Sequence, residues 1–96
     1  MPRAIWHGIV VAQSEACATA EGCVYFPPNA VETDYLEPNG HRLVCPQKGR
    51  AHCFDLVGDD GERARDAAWM YREPKACGVG VMDYIAFRCP PVTIEP

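Results

Sequence analysis

Cys45 and Lys48 stand at the two ends of one tight turn, Cys45-Pro46-Gln47-Lys48-Gly49, which brings a thiol and an amine close together. The thiolate is the reactive form of cysteine, and a neighbouring cation or imidazole favours it. His41 and His52 supply imidazoles on either side of the turn. If Pro46–Gly49 is a four-residue loop, Cys45 pairs with Arg50, Leu43 with His52 and His41 with Phe54. Paired residues share a face of the sheet, so Cys45, His52 and His41 would line up together while Cys53 points away. His52 would then be the base for a Cys45 nucleophile or redox thiol, and Lys48 the group that steadies negative charge. A slip of one residue reverses all of these assignments. Each role has a plain alternative: a packed core thiol at Cys45, a solvated loop lysine at Lys48, and ordinary strand histidines at positions 41 and 52.

Trp69 and Tyr71 are two residues apart on a strand-like segment and so share a face. With Tyr25 they can wall a pocket, although aromatics at period two serve equally as core. In a binding module, Lys48 would hold a small polar or anionic molecule while the aromatics pack on its apolar part. Glu21, Asp66 and Asp59-Asp60 are the acidic candidates. Adjacent carboxylates in a Gly-flanked turn face different directions, which reads as solvation rather than as a magnesium site. The cysteine spacings, Cys17-x5-Cys23, Cys45-x7-Cys53 and Cys77-x11-Cys89, contain no C-x2-C knuckle. No metal ligands and no cofactor are therefore predicted.

Short β-branched and aromatic runs alternate with turn signals about every eight to twelve residues, and no long 3.6 period occurs. The expected fold class is mostly β: compact antiparallel sheets with one or two short helical turns, in a single domain over residues 1–96. His7-Gly8 should join Arg3–Trp6 to Ile9–Ala12, and Glu21-Gly22 should join Cys17–Ala20 to Cys23–Phe26. In the second hairpin Ala20 pairs with Cys23 and Ala18 with Tyr25, so Cys17 and Cys23 face opposite sides and form no local disulfide. Pro27–Val31 reads as an extended segment opening into a helical turn, and Glu37-Pro38-Asn39-Gly40 as a chain-reversing loop. The third hairpin is His41–Cys45 with Arg50–Val57, followed by a turn at Gly58–Gly61. Further strands are expected at Ala67–Tyr71 and Val81–Cys89, with a helical turn at Pro74–Cys77 stopped by Gly78. The Pro-rich tail from Pro90 should be ordered only if it docks.

At 96 residues and net charge −4, with acidic and basic residues interspersed, the chain lacks the field that draws proteins to phosphate backbones. Nucleic acid is excluded as the expected partner. No stretch approaches a membrane span, and the first residues contain no signal-peptide core. The expectation is a cytoplasmic protein whose six cysteines are thiols.

The chain resembles the family known as domain of unknown function 427. The likeness runs from Ala4-Ile5-Trp6 and Gly8 through Glu21-Gly22 and Tyr25-Phe26-Pro27, past Tyr35-Leu36, to Ala86-Phe87. Its centre is Cys45-Pro46-x-Lys48-Gly49-x-Ala51, followed by Asp66-Ala67-Ala68-Trp69-x-Tyr71-x-x-Pro74. Gln47 stands where the family usually has Trp, and His7 where it usually has Asn. The resemblance implies a compact, mostly antiparallel β fold. A nucleotidyltransferase label is sometimes attached to the family, but that chemistry needs phosphates cradled by a Gly-rich loop and a metal held by positioned carboxylates, and the sequence offers neither. The leading expectation is a pocket lined by Tyr25, Cys45, Lys48, Trp69 and Tyr71 that binds a small polar or anionic molecule. The alternatives are a thiol-dependent enzyme and a structural or interaction protein.

Overall fold

Local turn chemistry sets the first two hairpins. In the computed structural model, which describes the backbone of residues 1–96 and the side chains of all but residues 77 and 78, β1 (Arg3–Trp6) and β2 (Ile9–Gln13) flank His7-Gly8. These two residues have φ of 51° and 75°, as a type I′ turn requires. The same device, Glu21-Gly22 at φ 52° and 81°, joins β3 (Ala18–Ala20) to β4 (Cys23–Phe26). Ala20 pairs with Cys23 and Ala18 with Tyr25, the expected register. Short 3-10 turns then cover Pro28–Ala30 and Thr33–Tyr35.

The third hairpin differs from expectation by one residue. β5 (Leu36–Cys45) and β6 (Gly49–Val57) pair Cys45 with Gly49, Leu43 with Ala51 and Arg42 with His52. The loop is therefore Pro46–Lys48, and Gly49, at φ 99°, closes it as a strand residue in a conformation that side chains with a Cβ avoid. Cys45, Leu43, Ala51 and Cys53 share one face; Arg42, Val44, Arg50 and His52 share the other. The expected loop at Glu37–Gly40 lies instead within β5. Pairing jumps from Pro38–Phe54 to Arg42–His52, leaving residues 39–41 bulged opposite Cys53.

A tight turn with Gly61 N–H donating to Gly58 O at 3.0 Å leads to β7 (Arg63–Met70). A 3-10 turn spans Ala76–Val81, where a helical turn was expected at residues 74–77; the Cys77 side chain lies outside the described set. β8 (Ile85–Phe87) follows, and then the Pro-rich tail, which docks as β9 (Thr93–Glu95) on β1 with Ala4 opposite Ile94.

All pairings are antiparallel, in a three-stranded sheet ordered β2-β1-β9 and a six-stranded sheet ordered β3-β4-β8-β7-β6-β5. Strand alternation then creates two apolar clusters. Phe26, Phe54, Leu56, Ala68, Met70, Ile85 and Phe87 of the larger sheet pack with Trp6, Val11 and Val92 as the main core. Fully burying one such large side chain stabilises the fold by about 1.5–3 kcal/mol. The alternate residues of the same strands, Tyr25, Ala51, Tyr71 and Ala86, form a second cluster on the opposite face, with Val81 and Tyr84 packed against it from the segment between β7 and β8. No helix is long and apolar enough to cross a membrane among the described residues.

Candidate functional site

The second cluster is where the sequence-predicted residues meet. Antiparallel register forms a row Ala18–Tyr25–Ala86–Trp69–Cys53 across the larger sheet, and Ala20–Cys23 and Leu43–Ala51 lie on the same face. Ala86 and Ala51, both fully buried, offer only methyl groups between much larger neighbours. A cavity of about 320 Å³ opens on this face, lined by Glu21, Cys23, Tyr25, Cys45, Trp69, Tyr71 and their neighbours Ala20, Leu43 and Val44. A larger groove of about 820 Å³ runs alongside, toward Cys89 and β9, and shares Cys23 and Trp69 with it. Its lining lacks the Tyr25–Cys45–Tyr71 grouping, so the smaller cavity is the better candidate for chemistry.

Two aromatic walls are fixed by a hydrogen bond: Trp69 Nε1 donates to the Tyr25 hydroxyl at 3.2 Å. Burial pushes the Tyr25 phenol up, against the Trp69 bond. The Tyr71 phenol is raised well beyond its ordinary value, chiefly by burial and then by Tyr25 and Cys45 beside it. Both hydroxyls are thus neutral across the physiological range and can donate a hydrogen bond as well as accept one.

Cys45 sits at the end of β5, half-buried, with its Sγ accepting the Lys48 N–H at 3.4 Å. That backbone donor, followed by the one from Gln47, pulls the thiol below its ordinary value, against burial and the Glu21 charge. The turn carrying these donors is anchored from outside. Lys75 N–H donates to Lys48 O at 2.8 Å, and Lys75 Nζ donates to Pro46 O at 3.1 Å.

Lys48 is placed differently from the sequence expectation. Its side chain is only 4% exposed, and Nζ lies 2.8 Å from Glu21 Oε1, whose own side chain is 60% exposed. The Glu21 bond raises the Lys48 ammonium above its ordinary value, and burial opposes the shift. Glu21, not Lys48, is the partner on the cavity wall. Nothing local in the sequence reveals this pair, which joins two hairpin tips far apart along the chain.

His52 does not join the site. Register puts it on the opposite face from Cys45, so the expected Cys45–His52 pairing does not form. His41 goes elsewhere too: its Nδ1 lies 2.9 Å from Asp66 Oδ1. That contact belongs to a polar network at the 39–41 bulge and at the irregularity where β6–β7 pairing jumps from Phe54–Ala68 to Leu56–Ala64. Asn39 Nδ2 donates to both Asp55 Oδ1 (2.7 Å) and Asp66 Oδ1 (2.6 Å), Arg63 bonds Asp55 at 2.7 Å, and Asp66 N–H donates to Asp55 Oδ1 at 2.9 Å. Among the described residues no three His, Cys, Asp or Glu side chains cluster in a metal-holding arrangement.

The model of the family described as domain of unknown function (DUF427) matches residues 2–95. The chain belongs to that family. No curated protein matches the chain. In this DUF427 chain the family-like Cys45-Pro46-x-Lys48-Gly49 segment forms the three-residue turn, and the Trp69-x-Tyr71 segment forms the facing wall, so the two most distinctive stretches of sequence converge on one cavity.

Proposed function

We propose that this protein binds a small polar molecule with a planar apolar part in the cavity between Tyr25, Cys45, Trp69 and Tyr71. The observation that carries the reading is the arrangement of aromatic walls joined by the Trp69–Tyr25 hydrogen bond with a few polar groups around one cavity, which is the composition of ligand sites. The volume of about 320 Å³ suits a small ligand rather than a dinucleotide. Because the Lys48 charge is already matched by Glu21, the polar end of the ligand would meet Glu21, the tyrosine hydroxyls and the Cys45 sulfur, which favours a neutral hydrogen-bonding group. Five described cysteines are free thiols, which accords with a reducing, cytoplasmic setting.

The Cys45 environment supports a second reading, thiol chemistry without a histidine base. Here the Lys48 N–H would stabilise the thiolate and the cavity would present a substrate to it. A panel of small planar amides and heterocycles, observed through the Trp69 indole N–H resonance, tests the binding reading. Saturable shifts at Trp69 that disappear in Tyr71→Ala support it. Absence of any saturable shift at Trp69, or shifts that persist unchanged in Tyr71→Ala, would overturn it.

A further inference from the structure

His52 lies on the face of β6 opposite the Cys45 cavity, in a second, separate concavity. The bulge over residues 39–41 displaces β5 from β6, and beside it Arg42, His52 and Arg72 converge with Pro38 and Gly40 on a pocket of about 280 Å³. Arg42 and His52 are direct cross-strand partners and share one face, and Arg72, just past the end of β7, lines the same pocket. Among the described residues neither Arg42 nor Arg72 has a carboxylate within ion-pair distance, whereas Arg3 and Arg63 do. Arg42 makes a bond of 2.9 Å to the His41 carbonyl, which orients its guanidinium without neutralising it.

The His52 imidazole reports the resulting field. Burial and then Arg42 and Arg72 hold it below its ordinary value, and the Glu73 carboxylate opposes them without prevailing. Two unmatched guanidiniums and an imidazole facing one small pocket, in a chain whose net charge is −4, are a local reversal of the overall electrostatics. Guanidinium forks match the oxygens of carboxylate and phosphoryl groups, and two of them suit a dianion better than a monoanion.

We infer that the Arg42–His52–Arg72 pocket binds the phosphoryl dianion of a small phosphomonoester or of free phosphate. The volume admits a phosphoryl group with a short substituent. Arg42 and Arg72 would hold the oxygens from two sides, and His52 would donate through one ring nitrogen. This site is independent of the Cys45 cavity, from which the sheet itself separates it.

The test follows the His52 ring resonances of the full chain at neutral pH and constant ionic strength, with inorganic phosphate, methyl phosphate and acetate as three separate titrants. Saturable shifts with the phosphates, and affinities weakened on the order of tenfold or more in Arg42→Gln and in Arg72→Gln, are expected from the loss of one charge-assisted contact each. Arg65→Gln, at an exposed arginine outside the pocket lining, should leave them unchanged. Tighter binding of methyl phosphate than of inorganic phosphate identifies a phosphomonoester as the ligand, and the reverse order identifies free phosphate. If Arg42→Gln does not fold, Arg72→Gln alone carries the comparison. Acetate binding as tightly as either phosphate, no saturable shift, or full affinity in the arginine variants would overturn the inference.

Discussion

Replacing Asp55 with Ala should destabilise the protein severely, although the residue touches neither cavity. Its side chain is 7% exposed, and the carboxylate accepts from Asn39, Arg63 and the Asp66 N–H at 2.7, 2.7 and 2.9 Å. Hydrogen bonds to charged groups contribute about 1.5–3 kcal/mol each, and removing one member of a buried pair costs about 3–5 kcal/mol. Arg63 is 36% exposed and regains water when its partner is lost, which puts the net cost at the lower end, about 3 kcal/mol. For a domain of this size that corresponds to a fall in Tm of about 12–24 °C. Acidity supplies an independent check. Burial pushes the Asp55 carboxyl up, but the Asp66 N–H, Asn39 and Arg63 together outweigh it and hold the group below its usual range. A depressed folded value contributes stability that is fully present above the unfolded carboxylate value of about 4 and is lost as pH falls through the folded value. Thermal melts of wild type and Asp55→Ala should therefore differ most near neutrality and converge below about pH 4. A difference under about 4 °C at neutral pH, or one that grows on acidification, would refute the reasoning.

Iodoacetamide should label Cys45 faster than Cys17 or Cys53 at neutral pH, because backbone N–H groups lower the first thiol while burial raises the other two; mass spectrometry of labelled peptides measures the rates. His52→Ala should leave the Cys45 rate unchanged, since the imidazole is on the other face of the sheet. Gly49→Ala forces a side chain into φ 99°, and chemical denaturation should record a loss of about 1–3 kcal/mol. Trp69→Phe removes the donor to Tyr25, with an expected cost of about 1 kcal/mol in urea unfolding and a larger relative effect on ligand affinity than on stability.

The parts of the fold that were legible in the sequence are those decided within a few residues. His7-Gly8 and Glu21-Gly22 fix the pairs beside them, Trp6 with Ile9 and Ala20 with Cys23, although an irregularity between Ala4 and Ile5 then shifts the first hairpin to pair Ala4 with Ala12. The shared face of Trp69 and Tyr71 follows from period two alone. The Cys45 hairpin differs from the local reading by one residue because Gly49 looks like loop yet serves as strand, at a positive φ that glycine adopts without steric cost. Pro38-Asn39-Gly40 reads locally as a reversal, but Asn39 is held by Asp55 and Asp66, partners on two other strands, and the same residues become a bulge. Glu21–Lys48 was invisible for a related reason: two tips meet only after the sheet between them is built. His52 shows how much rests on register, for one residue moved it from a supposed catalytic pair to a cationic pocket.

The pairing of β9 with β1 has a consequence for synthesis. Strand β1 is synthesised well before β9, yet one of its two neighbours is built from Thr93–Glu95, with Arg3 opposite Glu95. Until those residues clear the exit tunnel, one edge of β1 has an unfilled row of backbone donors and acceptors, and Val92, which is 2% exposed in the finished core, is not yet in place. The nascent chain can form its local hairpins early, but the smaller sheet cannot close until Thr93–Glu95 are free to pair. In that interval the open β1 edge carries the hazard of any unpaired strand edge, a template on which another strand can pair.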